Sequence, residues 1–543
     1  MGNNIRKPLL AQILLSSTFF IGVLALPAGD AGPTVVIPSG TIVGTTTQPA
    51  ASTGYANAYL GVPFAKSPPE RFSPPQPADP WTTLTAQAFR PACMQQFSSQ
   101  GGSPALQKQY FGNPTGPLPE ESEDCLYLNV FTPPGVSSTS KKAVMFWLFP
   151  GNLQFGTASL PIYDGSSLAL TQDVVVVTIN YRTNIFGFSN SPDIPAGSQN
   201  SGFLDQRFAL QWVQNNIASF GGDPSRVTIF GDSAGGESVK QLLASPPSPL
   251  PFSAAIMQSQ QSLLIGSGSD SYKKVLQNFK CQSQSSPIAC LRKVSATDIK
   301  AYIESAALVF PPVNGDGTSV SDVRNSITSK TWPNIPILIG TTLNEARVFI
   351  AAQGITSGAP ALDYALSTVG ITSSITKSSI LALYAGKGTT AITDVADRIF
   401  TDAVFTCTTS SLANFLALNG YTVYRYRYDA SFPSTSIFPN AGAYHTSDIP
   451  SVFGTYPQYS KFGAATQQQT QLSSYMQGVW GGFAKKPAGG VGAGWPKVGS
   501  ALGKELALLG ASASNNVTVV PLLQADYPCV AYAGIAGIAG LSY

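Results

Sequence analysis

The chain has 543 residues, a formal net charge of +3 and only 11% charged side chains. Length alone allows several domains, but no low-complexity linker or internal repeat divides the sequence, and single large α/β enzymes reach this size. Lysines and arginines are scattered, so nothing points to nucleic acid; one histidine, and six cysteines without Cys-x-x-Cys spacing, offer no ready zinc or iron–sulfur set. The expected partner is a small neutral or apolar molecule, with no metal and no cofactor.

Arg6 and Lys7 precede an apolar run at 13–24, and the small residues Val23 and Ala25 suit cleavage near Ala25. The run is shorter than the ~20 residues a spanning helix needs and contains Ser16, Ser17 and Thr18. Residues 1–25 therefore read as a secretory signal and 26–543 as one secreted catalytic domain, without stable membrane insertion. Export also suits an even cysteine count and the glycosylation sequon Asn516-Val517-Thr518.

Residues 34–37 and 41–47 predict a starting hairpin, and 59–65 leads into a Pro-rich loop carrying Arg71 and Phe72. Cys93 and Cys125 bracket a Gly-, Pro- and Ser-rich segment. The continuous apolar run 174–178 suits a strand buried on both faces, and 208–217 has helical apolar spacing. Strand, helix and strand alternate over 143–243, the pattern of a mostly parallel sheet with helices on both faces. Further strands are expected at 256–259 and 337–340, with helices at 271–279 and 295–308, the latter opening on Ser295 with Asp298 three residues on. Residues 364–410 read as largely helical and form part of a cap. The stretch 421–428 alternates aromatic and polar residues like a strand, and 467–483 predicts a long helix. The Gly/Ala-rich tail lacks the polar spacer of a lipid-anchor signal.

The chemistry centres on Val227-Thr228-Ile229-Phe230-Gly231-Asp232-Ser233-Ala234-Gly235-Gly236. A short β-branched and aromatic strand runs into Gly-x-Ser-x-Gly and then a helix, a strained elbow that lifts Ser233 clear of the sheet; glycines either side leave room for it. A serine hydroxyl is a poor nucleophile near neutrality and needs a base, which in turn needs an acid to fix its tautomer. His445 is the one imidazole in the chain. Chain order in the elbow fold demands a carboxylate between Ser233 and His445, and Asp316, Glu345, Asp363 and Asp402 qualify by position. Glu345 follows the apolar strand 337–340. The residue after the nucleophile, Ala234, supplies one backbone donor for an oxyanion. Gly151 and Asn152, after the strand 143–149, supply others, since Pro150 has no N–H.

The runs Glu123-Asp124-Cys125-Leu126-Tyr127-Leu128-Asn129 and Gly231-Asp232-Ser233-Ala234-Gly235-Gly236 resemble signatures of the type-B carboxylesterase and cholinesterase family of α/β-hydrolases, especially its secreted fungal esterases and lipases. The likeness extends through Asn180-Tyr181-Arg182, Leu204-Asp205-Gln206-Arg207 and Phe220-Gly221-Gly222-Asp223-Pro224, covering nearly everything after the signal. It implies an α/β-hydrolase fold and a Ser233–Glu345–His445 triad, with Asp232, Ser259 and Asp448 around it. It also implies an Arg71–Glu123 ion pair and disulfides Cys93–Cys125, Cys281–Cys290 and Cys407–Cys529; the sequence itself allows 15 connectivities. Three departures stand out: Asn344 where Asp is frequent, Ala346 where Gly is usual, and Asn152 within a run typically made of glycines. The expected activity is hydrolysis of small or apolar esters through an acyl-enzyme. A triacylglycerol lipase would want an amphipathic lid between Cys93 and Cys125, where Gly101, Gly102 and Pro104 interrupt any helical stripe. A cholinesterase would want a tryptophan in that loop, which has none. Some relatives are non-catalytic adhesion modules that have lost part of the triad, whereas all three members are present here.

Overall fold

The computed structural model describes residues 1–2, 32–50, 52–97, 103–261, 264–356, 358–385, 391–492, 494–500 and 505–533. Residues 3–25 of the expected signal segment and 534–543 of the Gly/Ala-rich tail lie outside them. Eleven strands form one sheet, in the order Val517–Val520, Leu506–Leu509, Val423–Tyr428, Ile337–Thr342, Ala254–Gln258, Gly222–Asp232, Lys142–Leu148, Val175–Ile179, Tyr127–Thr132, Ala56–Pro63 and Thr45–Thr47. From Leu506–Leu509 to Val175–Ile179 every neighbouring pair is parallel; both flanks are antiparallel. The apolar run at 174–178 behaves as its composition predicts, since every residue of Val175–Ile179 is buried.

Helices pack around the sheet as the α/β alternation requires. Ser201–Asn216 and Ala234–Ala244 flank the strand Gly222–Asp232, and Gln467–Lys485 crosses that strand and Lys142–Leu148. The expected hairpin divides: Thr34–Ile37 pairs with Gly40–Val43 in a small separate sheet, while Thr45–Thr47 joins the edge of the main one. The cap comprises Gly358–Thr368, Ser374–Tyr384, Ile392–Phe400 and Cys407–Leu418, with a π-helical turn at Thr401–Thr406. It has its own apolar core, built around Leu366, Ile380, Ile399, Phe400 and Tyr532.

The strand Val423–Tyr428 departs from its sequence pattern. Alternating aromatic and polar residues predict one wet face, yet nearly the whole strand is buried between two parallel neighbours. Its polar member Arg425 is answered inside the protein, donating to both carboxylate oxygens of Asp526 at 2.5 and 2.7 Å. A charge taken out of water needs such a partner, so the tail must return to this strand. The disulfide Cys407–Cys529 fastens the same stretch of tail to the cap.

Candidate active site

Three chain segments that follow the parallel strands Gly222–Asp232, Ile337–Thr342 and Val423–Tyr428 lie at the carboxyl edge of the sheet, where open α/β sheets place their ligands, and converge on one cleft. The first is the elbow. Ser233 follows the strand Gly222–Asp232 and holds φ 54°, ψ −120°, a conformation costly for a residue with a side chain. Its N–H donates to the Gln258 carbonyl at 2.8 Å, and its carbonyl accepts the Glu237 N–H at 2.8 Å, opening the helix Ala234–Ala244. The flanking glycines are spatially required: a Cβ at Gly235 would lie 2.0 Å from the Leu148 carbonyl oxygen, and one at Gly231 2.5 Å from the Gly235 backbone.

The second and third segments carry Glu345 and His445. Glu345 Oε2 lies 2.5 Å from His445 Nδ1. Its Oε1 accepts from the Ser259 hydroxyl at 2.6 Å and the Thr342 N–H at 2.7 Å, so this fully buried carboxylate is held on both oxygens. That arrangement requires Nδ1 to carry a proton, leaving Nε2 as the basic nitrogen; Nε2 is buried and makes no hydrogen bond among the described residues. The rings of Phe349 and Phe405 each lie 4.9 Å from the imidazole, centroid to centroid. The Ser233 hydroxyl donates a long 3.5 Å bond to the Gln261 carbonyl.

Of the four candidate acids, only Glu345 meets His445. Asp316 caps its own turn through Thr318 and accepts from the Asn200 N–H, Asp402 pairs with Tyr384 and Arg398, and Asp363 faces Lys377 at the surface. Behind the pair lies a buried polar layer. Asp448 accepts from the Gln258 amide at 2.9 Å and the Tyr426 hydroxyl at 3.2 Å, and Gln258 accepts from the Trp480 indole at 3.1 Å. Asp232 is fully buried with neither carboxylate oxygen hydrogen-bonded among the described residues. Burial first, then the neighbouring Asp448 and Glu345, push Asp232 well above the usual carboxylate range. Burial and Glu345 also raise Asp448. Ser259 thus touches Glu345 directly, while Asp448 touches residues behind it.

The loop at 150–156 forms the opposite wall. Gly151, Asn152 and Leu153 all have positive φ, and the turn closes through Gln154 and Phe155 N–H groups donating to the Gly151 carbonyl. Ala234 opens its helix, so its N–H has no intrahelical acceptor. The sequence did not reveal what holds this loop. Gln95 accepts the Gly156 N–H at 2.9 Å; the Gln154 carbonyl accepts the Gln96 N–H at 2.9 Å and the Asn184 amide at 3.0 Å. Buried amides such as these carry no periodic signal. The implied ion pair and disulfides are present: Arg71 grips both Glu123 oxygens, and Cys93–Cys125, Cys281–Cys290 and Cys407–Cys529 are bonded.

Ser233, His445, Gly151 and Asn152 line one cleft of about 1050 Å³, partly open to solvent, and among the described residues no Asp, Glu, Lys or Arg lines it. Its remaining walls are largely aromatic. Tyr110 and Phe111 come from a helical segment inside the Cys93–Cys125 loop, Pro104–Gln107 continuing into Lys108–Gly112. From the sequence, Pro104 is expected to interrupt a helix. In the fold Pro104 is the first residue of the helix, where a missing N–H costs nothing, and Ser103 caps it by accepting the Leu106 N–H. The pair Ser103-Pro104 was the signal available.

Among the described residues no cluster of His, Cys, Asp or Glu could hold a metal, and no helix is long and apolar enough to cross a membrane. The model of the carboxylesterase family matches residues 31–517. Cocaine esterase of Homo sapiens is 32% identical over 484 residues, 84% of each chain. Carboxylesterase 1D of Mus musculus is 33% identical over 493 residues, 83% of this chain and 84% of its own. Para-nitrobenzyl esterase of Bacillus subtilis (strain 168) is 33% identical over 448 residues, 79% and 86% respectively. Similarity sustained over that much of the fold, elbow and acid–base loops included, means that this chain belongs to the carboxylesterase family and is a carboxylic ester hydrolase.

Proposed function

We propose that this chain is a secreted serine hydrolase that cleaves small or apolar, uncharged esters through an acyl-enzyme. The observation that carries this reading is the 2.5 Å contact between Glu345 and His445 Nδ1 beside an elbow serine in the same cleft. Ser233 Oγ attacks the ester carbonyl as His445 Nε2 takes its proton. The N–H groups of Gly151, Asn152 and Ala234 receive the oxyanion, and losing one such donor typically costs about 3 to 4 kcal/mol in the transition state. His445 then returns the proton to the departing alkoxide, and water, deprotonated by the same nitrogen, releases the acid. Glu345 fixes the tautomer and faces the imidazolium as it forms, while Asp232, Ser259 and Asp448 support the pair from behind. A cleft walled largely by aromatic side chains, with no Asp, Glu, Lys or Arg among its described lining residues, favours substrates that lose little hydration on entry.

Secretion is supported by three disulfides, which persist in oxidising compartments. Asn516 is exposed just ahead of the strand Val517–Val520, as a glycan acceptor must be. One observation favours lipase activity as a second reading: the helical segment Pro104–Gly112 sits at the cleft inside the Cys93–Cys125 loop. Activity on tributyrin that jumps above its solubility limit separates the lipase from the esterase. The reading as a whole is tested by Ser233→Ala, expected to lower kcat at least a thousandfold in a folded protein. A serine-directed organophosphate should label Ser233 alone. More than a few per cent residual activity, or a label on another residue, removes the assignment.

A further inference from the structure

The acid and base loops need a device that keeps Glu345 and His445 in register, because each lies on a turn rather than on a strand. Their backbones run alongside one another for one step only: the Asn344 N–H donates to the Ala443 carbonyl at 2.9 Å, and Asn344 pairs with Tyr444 in a single parallel bridge. The Asn344 side chain extends this join in two directions. Its carbonyl oxygen accepts the Ala443 N–H at 3.2 Å, and its amide nitrogen donates to Asp397 Oδ2 at 2.7 Å. Asp397 belongs to the cap helix Ile392–Phe400 and is almost fully buried.

Asp397 gathers further donors from the helix that follows Glu345 and from the cap's own π-helical turn. Arg347 Nε lies 3.1 Å from Oδ2, Thr401 donates to Oδ1 at 3.1 Å, and Thr401 in turn accepts the Ala346 N–H at 3.1 Å. Arg347 also donates to the Asn440 carbonyl at 2.8 Å and to Asp394 at 3.0 Å. A single carboxylate in the cap is therefore tied to residues on either side of Glu345 and, through Asn344 and Arg347, to the chain leading into His445. We propose that Asn344 is a positioning residue for the Glu345–His445 pair, acting as the amide link by which Asp397 of the cap holds the acid and base loops together. The inference rests on the triad reading given above.

The chemistry at position 344 demands an amide. The side chain must donate at one end and accept at the other, which asparagine does without a proton rearrangement. An ionised aspartate accepts at both ends and would set two carboxylates face to face in a site where burial already pushes Asp397 up to about 6. The frequent family residue at 344 is thus incompatible with this chain's own Asp397, whereas exchanging the two residue types restores one donor and one acceptor.

The test is an exchange cycle on p-nitrophenyl butyrate. Wild type and His445→Gln are assayed first, so that absence of a serine–histidine mechanism registers separately from anything at residue 344. Asn344→Asp is expected to lower kcat at least tenfold with KM changed less than threefold, because the base is misplaced while the cleft walls are untouched. Asp397→Asn is expected to cost less than fivefold, since an Asn–Asn pair still offers one donor and one acceptor. The double exchange Asn344→Asp/Asp397→Asn should return kcat to within about threefold of wild type. Near wild-type kcat in Asn344→Asp, or a double variant no better than that single, overturns the proposal. Should Asn344→Asp fail to fold, Asn344→Ala replaces it, removing both arms without adding charge. Wild-type kcat in that variant is equally fatal, and a tenfold loss at unaltered KM supports the proposal.

Discussion

The two sides of His445 are built on opposite principles. Behind the imidazole lie three buried carboxylates: Glu345 accepts a hydroxyl and a backbone N–H, Asp448 an amide and a hydroxyl, and Asp232 has neither oxygen hydrogen-bonded among the described residues. In front lies a cleft walled by Tyr110, Phe111, Phe349 and Phe405, with no charged side chain among the described residues. Charge that must orient a base works best where water cannot screen it, and under the function proposed above, hydrolysis of uncharged esters, charge where the substrate sits would gain nothing. Each layer can be disturbed separately, and the sizes of the responses should differ.

The largest effect belongs to the shared residue. His445→Gln should lower kcat by a thousandfold or more and abolish the acid limb of kcat/KM. Since the chain has no other histidine, a surviving limb would name a different base. Within the rear layer, Glu345→Gln should cost about a hundredfold to ten-thousandfold in kcat with little change in KM, as misorienting a base does. Equal losses in both parameters would move Glu345 from orientation to substrate binding. In the front layer, Phe111→Ala should raise KM for a naphthyl ester by about three- to tenfold and leave kcat nearly alone, since it removes a cleft wall along with its two ring contacts, to Phe155 and Phe349. A kcat effect there would mean the two layers are not separate.

The smallest effect concerns stability. Asp448 is raised in the folded protein above its unfolded value, so the native state holds its proton to higher pH, up to about 6, than the unfolded chain does. Linkage then makes this group's contribution to stability fall as pH rises from about 4 to about 6, because the folded protein must carry an ionised buried carboxylate. Asp448→Asn escapes that loss. Its Tm relative to wild type should therefore climb across the same window, by a few degrees, and a flat difference would show that the carboxylate is already ionised at the lower end.

How legible all this was in the sequence depended on the kind of signal. The strand-to-helix elbow is local, requires glycine at fixed offsets and survives unchanged from sequence to fold at Ser233. Val175–Ile179 likewise announces a buried strand by being apolar without interruption. Val423–Tyr428 misleads, since Arg425 is paid for by Asp526, a partner 101 residues away that no window can see. The same holds for Asp232 and Asp448, whose placement came through family likeness, and for Gln95 and Asn184, which polarity alone would assign to the surface. Pro104 was misread for a different reason: proline breaks a helix or begins it according to position, and Ser103 before it was the deciding residue.

The Arg425–Asp526 pair also bears on how this protein is made. Synthesis delivers the strand Val423–Tyr428, which lies between two parallel partners, while one of them, Leu506–Leu509, and the carboxylate that neutralises Arg425 are still unbuilt. Until about a hundred further residues have been added, a guanidinium would have to enter the sheet's interior unanswered, a penalty of several kcal/mol. The nascent chain therefore has reason to keep this half of the sheet open, exposing apolar strands until the tail arrives. Truncation before Asp526 should leave soluble yield far lower than the loss of a few surface residues would explain, with the early strands and the elbow still resistant to protease.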